Sequence, residues 1–155
     1  PIINGVQISI LNPPLLSTMR NGFPRKDWNP SFLNNHSLVM KLQFKNIGVL
    51  LAADIEKEAE YRILREDHLL RVDILKIPHH GSSSSSTSFF LERVKPAFAI
   101  LSVSERNMGR LPHPEVLKRY EQMGSRIFRT DKHGAITVIT DGEKIEIKPF
   151  VKNGL

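Results

Sequence analysis

Apolar and polar residues alternate over Val6-Gln7-Ile8-Ser9-Ile10-Leu11, the period of a strand with one buried face. Asn12-Pro13-Pro14 ends it, because proline has no amide hydrogen to give a ladder. Two further runs, 37–44 and 47–52, predict strands joined by a tight turn at Lys45-Asn46, the second apolar enough for burial on both faces. From Ile55 the period lengthens: Ile55, Ala59 and Ile63 recur every four residues, with Glu56, Glu58, Glu60, Arg62 and Arg65 between them, which predicts an amphipathic helix. Val72 to Ile77 is a strand that carries His79 and His80 at its C-terminal end. Phe89, Phe90, Leu91 and Val94 predict a short helix, and 97–102 a central strand. Pro114 opens another helix with Val116, Leu117, Tyr120 and Met123 at helical spacing, and Gly124 closes it as a left-handed cap. A short strand over 126–129 precedes a hairpin, 135–140 with 144–148, turning on Asp141-Gly142.

The alternation of strands and helices, with antiparallel pairs at both ends, predicts an α/β fold of the α+β kind, a mixed sheet with helices packed on it. At 155 residues and 40% apolar composition the chain, 1–155, is of single-domain size. Residues 15–35 lack periodicity and hold Pro24, Trp28 and Pro30, the signature of one long loop. No apolar run approaches the length of a membrane span, and no basic leader precedes an apolar stretch. A strand pattern starting directly after Pro1 is expected of a chain that begins inside a longer protein.

Cysteine is absent, so any metal must be held by histidine and carboxylate. The net charge of +6 and pI near 9.8 favour anionic partners, although the cations are dispersed and equally describe a solvated basic surface. Ligands of layered α/β folds bind outside the carboxyl ends of strands. Asp54 and His80 both stand there, on strands that would be about 4.8 Å apart if paired. Zinc or manganese accepts such a mixture of oxygen and nitrogen donors. Adjacent strand residues point to opposite faces, so one histidine of the pair is expected to face the site, and His80 is chosen.

The segments Asn34-Asn35-His36-Ser37-Leu38-Val39, Leu50-Leu51-Ala52-Ala53-Asp54-Ile55-Glu56, Leu75-Lys76-Ile77-Pro78-His79-His80-Gly81-Ser82, His113-Pro114-Glu115-Val116-Leu117 and Arg129-Thr130-Asp131-Lys132-His133-Gly134-Ala135-Ile136 follow a recognisable order. In order and spacing they resemble the C-terminal half of a metallo-β-lactamase-like αββα sandwich, in the variant found in ComEC-type competence proteins. The resemblance runs from about Val6 to Lys148 and implies a soluble, extracytoplasmic domain of a bacterial inner-membrane protein that internalises DNA. It further implies metal-dependent hydrolysis, with nuclease action on a DNA strand, in the complete domain. Asp54 matches the carboxylate that bridges the metals and His80 a histidine ligand, with His79 beside it. Ser82 and His113 match neighbours of the site, and Asn34 falls where other branches place a histidine ligand. Implied partners are DNA, the transmembrane pore region of the same protein, and a second copy of the fragment covering the sheet face that half a sandwich leaves open.

Departures from that pattern bear on activity. Ala52-Ala53 stands where Thr-Gly is usual before the aspartate, and Leu111 stands where a histidine is usual. The family's first metal motif would lie upstream of Val6, so this chain alone is expected to be inactive and to retain no ion. Two other functions stay open: a non-catalytic DNA-binding or docking module with a degenerate site, and a free-standing phosphodiesterase or phosphorylcholine esterase-like hydrolase. Each residue also has a plainer reading. Asp54 can cap the following helix, Ser82 to Ser86 reads as a flexible low-complexity loop, His113 starts a helix, and Trp28 with Arg25 and Lys26 anchors a loop or stacks a base. His36, His68 and His133 read as surface or turn residues.

Overall fold

A computed structural model of the chain describes residues 1–14, 29–66, 70–106 and 110–151. The first two strands, β1 (Ile2–Ile3) and β2 (Val6–Asn12), pair antiparallel, and β3 (Val39–Phe44) and β4 (Ile47–Leu51) extend the same sheet. Beyond β4 the pairing turns parallel through β5 (Ile74–Lys76), β6 (Phe98–Leu101) and β7 (Arg126–Arg129), giving seven strands in sequence order. A second sheet is the hairpin β8 (Ile136–Thr140) and β9 (Ile145–Pro149). Helices α1 (Pro30–Asn34), α2 (Lys57–Arg65), α3 (Ser88–Val94), α4 (Pro114–Gln122) and α5 (Thr130–His133) lie between strands in the chain. The mixed α/β class expected from the sequence is the one found.

Register separates the two faces of the large sheet. Leu50, Leu75 and Ala99 are cross-strand partners in one row and are fully buried, in one cluster with Ala59 and Ile63 of α2, Phe90, Leu91 and Val94 of α3, and Val116 and Tyr120 of α4. On the opposite face Met40, Leu42, Val49, Leu51, Phe98 and Ile100 remain half-buried, and Ile10 is 51% exposed. β4 is therefore buried fully on one face only, against the expectation of both. The hairpin lies along part of that second face, where Val138 and Ile139 line an apolar groove with Val6, Leu42, Phe44 and Val49.

Three local expectations are revised. The predicted loop over 15–35 ends earlier: the Asn29 side chain accepts the Phe32 amide at 2.8 Å and Pro30 fits the first turn, so α1 forms; residues 15–28, with Arg25, Lys26 and Trp28, and also His68, lie outside those described. The last hairpin closes through four residues, Asp141 to Lys144, because Asp141 Oδ1 accepts the amides of Glu143 and Lys144 at 2.9 and 2.8 Å. The serine run is not a flexible linker. Ser85 and Ser86 are 1% and 0% exposed, and each finds a partner far along the chain: Ser85 Oγ donates to Ile55 O at 2.7 Å, and Ser86 Oγ lies 3.0 Å from Tyr120 Oη. Glu60 of α2, fully buried, accepts the amides of Ser86 and Thr87, and Arg119 of α4 donates to the carbonyls of Ser85 and Ser86. Burial raises the Glu60 carboxyl above its ordinary value, opposed by its bonds to Thr87 and Ser86 and by the Arg119 charge.

Candidate metal centre

The residues ahead of β3 and those ahead of α2 are tied together by one side chain. Asn35 Oδ1 accepts the amides of Glu56 and Ala59 at 3.1 and 3.0 Å, capping α2 from more than twenty residues away. Asp54, read as a possible cap, is left free of that duty; the cap position itself belongs to Glu56, whose side chain makes no capping bond. Buried Asn12 holds Asn35 in turn, donating to its carbonyl at 3.1 Å and to that of Ser37 at 2.7 Å.

Two parallel strands then deliver the central pair. After β4, Ala53 takes a left-handed backbone (φ 47°), a conformation that glycine adopts without steric cost. Its carbonyl accepts the His79 amide at 3.0 Å, which ties the end of β4 to the turn after β5. That turn, Pro78–Gly81, does not continue a strand: His79 and His80 are both left-handed, with φ 47° and 52°. The strand rule of opposite faces therefore does not apply, and the turn itself sends the two rings apart. His80 Nε2 comes to 3.7 Å from Asp54 Oδ1, both side chains being nearly half exposed, while its Nδ1 lies 2.7 Å from the Ser102 carbonyl at the end of β6. A carbonyl can only accept, so Nδ1 carries the proton and the Nε2 lone pair faces Asp54.

That geometry bears on a metal. Donor–metal distances near 2.0–2.2 Å place two ligands of a tetrahedral ion about 3.4 Å apart. The 3.7 Å separation of Asp54 and His80 is close to that span and too long for an N–H···O bond. Fixing a ligating imidazole by its other nitrogen on a backbone carbonyl is the usual outer-sphere arrangement. Among the described residues no group of three or more histidine, aspartate or glutamate side chains converges. The residues present thus fit two positions of a histidine–carboxylate site.

His79 goes elsewhere: its Nδ1 is 3.5 Å from Glu56 Oε1 and 3.4 Å from Ser84 Oγ. Glu56 also accepts from Asn34 Nδ2 at 2.9 Å and Ser31 Oγ at 2.6 Å. Although burial opposes it, these donors and the nearby His79 hold the Glu56 carboxyl below its ordinary value. Asn34 is therefore joined to His79 through Glu56, and Ser82 is joined through Ser84, whose Oγ lies 3.0 Å from its own. His113 stands at the cap position of α4, its amide donating to Gly81 O at 2.8 Å and its Nδ1 buried without a hydrogen-bond partner among the described residues. Leu111 lines a pocket with His80, Ser102, Val103 and Ser104, so that wall is apolar where the resemblance puts a histidine. Lys76, beside Leu51 in the sheet, is desolvated enough to lower its pKa, against the attraction of Asp54. Glu56 and Lys76 were not singled out in the sequence; standing two residues from Asp54 and four from His80 was their only signal.

No family model matches the chain. It is 33% identical over 108 residues, 70% of its length, to ComE operon protein 3 of Bacillus subtilis. It is 38% identical over 106 residues, 68% of its length, to the uncharacterized protein YcaI of Escherichia coli, and 31% identical over 115 residues, 74% of its length, to Recombination protein 2 of Haemophilus influenzae. In all three the aligned stretch is 14% of the relative, so the chain spans about one seventh of the proteins it matches.

Proposed function

We propose that the chain is part of a bacterial competence protein and belongs to a metallo-β-lactamase-like domain that hydrolyses phosphodiester bonds of DNA during its uptake. The names of two relatives, ComE operon protein 3 and Recombination protein 2, support a role in competence and DNA handling. The observation that carries the catalytic part is the Asp54–His80 pair, 3.7 Å apart, with His80 Nδ1 held on Ser102 O. Zinc or manganese bound there would supply an activated water for hydrolysis. Asp54 and His80 would hold the ion, and further ligands would come from sequence outside these 155 residues. No described helix is long and apolar enough to cross a membrane, which accords with a domain carried outside the bilayer by a longer protein; we place it on the extracytoplasmic side, beside the pore region.

Cleavage of a fluorescent single-stranded oligonucleotide by the longer parent protein tests this reading. With manganese added, Asp54→Ala and His80→Ala should each lower the rate at least a hundredfold. An unchanged rate in both variants would refute it. Leu111 in the pocket wall and the strained Ala53 favour a second reading, a DNA-docking module without catalysis. On that reading the parent binds the oligonucleotide in a salt-dependent way and never cuts it.

A further inference from the structure

Glu56 offers two oxygens with about four lone-pair directions in all. Four neighbours address them: the Ser31 hydroxyl at 2.6 Å, the Asn34 amide at 2.9 Å, the Ser84 hydroxyl, and His79 Nδ1 at 3.5 Å. Ser84 has a single hydroxyl proton. Given to Glu56, it cannot also be given to His79 Nδ1, 3.4 Å away. Only a proton on Nδ1 itself then makes that contact favourable.

From this arrangement we infer that Glu56 is a positioning residue: it holds His79 with its proton on Nδ1 and leaves Nε2 as a free acceptor for a hydroxyl or water beside the Asp54–His80 pair. His79 and His80 thus share one design from different partners, a carboxylate for the first and the Ser102 carbonyl for the second. The left-handed backbone at both residues sets the ring directions, and the acceptors on Nδ1 set the tautomers. The role given to Nε2 rests on the proposed site, whereas the tautomer does not.

Long-range proton–nitrogen spectra of the isotopically labelled chain, without added metal, test it. His79 in the unaltered chain should show the Nδ1–H form. Glu56→Gln should raise the share of the Nε2–H form severalfold while His80 keeps its own tautomer and the melting temperature moves little. Ser84→Ala should leave the His79 tautomer as it is. An Nε2–H form in the unaltered chain, or a tautomer that follows Ser84 and ignores Glu56, would overturn the inference. If Glu56→Gln does not fold, the unaltered chain and Ser84→Ala still decide between the two partners. Absence of metal binding would sink the proposed site and leave the tautomer result standing.

Discussion

Glu60→Ala should lower the stability of the chain by about 3 kcal/mol, because it leaves the buried amides of Ser86 and Thr87 without an acceptor and opens a cavity between α2 and the serine loop. The melting temperature should fall by about 6–12 °C, at the usual 2–4 °C per kcal/mol for a domain of this size. Glu60→Gln keeps the shape and one acceptor, so a smaller loss of about 1–2 kcal/mol is expected. The pH dependence separates charge from shape. The folded-state carboxyl is raised above its ordinary 4.5, so folding binds a proton more tightly than the unfolded chain does. Its contribution is fully present below about pH 4.5 and is lost as pH rises through the raised folded value. Glu60→Gln should lack that decline, and the gap between the two proteins should narrow as pH rises. Denaturant melts at several pH values measure both effects.

Gly81→Ala should destabilise by about 2–4 kcal/mol, combining the cost of a left-handed alanine with overpacking. Gly81 has φ +77°, and a Cβ built there meets Pro112 Cβ at 2.7 Å. The proline sits in the segment whose next residue, His113, donates its amide to Gly81 O. Relief of the clash must therefore move either the 111–113 segment or the histidine turn. The expected sign of the second is a broadened or shifted His80 ring signal and loss of its bond to Ser102 O. Gly124→Ala is the contrast: φ is +76° but nothing lies within 4 Å, so only the backbone cost of about 1–2 kcal/mol applies.

Much of the fold was legible because its signals are local. Period-two runs marked β2 to β4, four-residue spacing marked α2 and α4, and Pro114 and Gly124 marked the limits of α4. Asp54 and His80 were legible from residue type and place at strand ends, and the structure sets them side by side. What escaped depends on partners distant in sequence. Ser82 to Ser86 has the composition of a linker, and only Glu60, Tyr120 and Arg119 make it rigid. Asn35 caps α2 across more than twenty residues, a bond no local pattern announces. The left-handed turn at His79 and His80 runs against backbone preference, so extrapolating the strand through them misdirected His79. Glu56 went unremarked because a charged residue at a helix start is commonplace, and its four donors come from three separate segments.

The two-residue fit at Asp54 and His80 implies a site that this chain completes only with ligands from elsewhere. Zinc and manganese titration by calorimetry, on the chain, on its His80→Ala variant, and on both with the parent's preceding sequence restored, tests that directly. Binding that needs the restored sequence and is lost in His80→Ala is the expected result. Absence of binding in every form, or equal binding with and without His80, would contradict it.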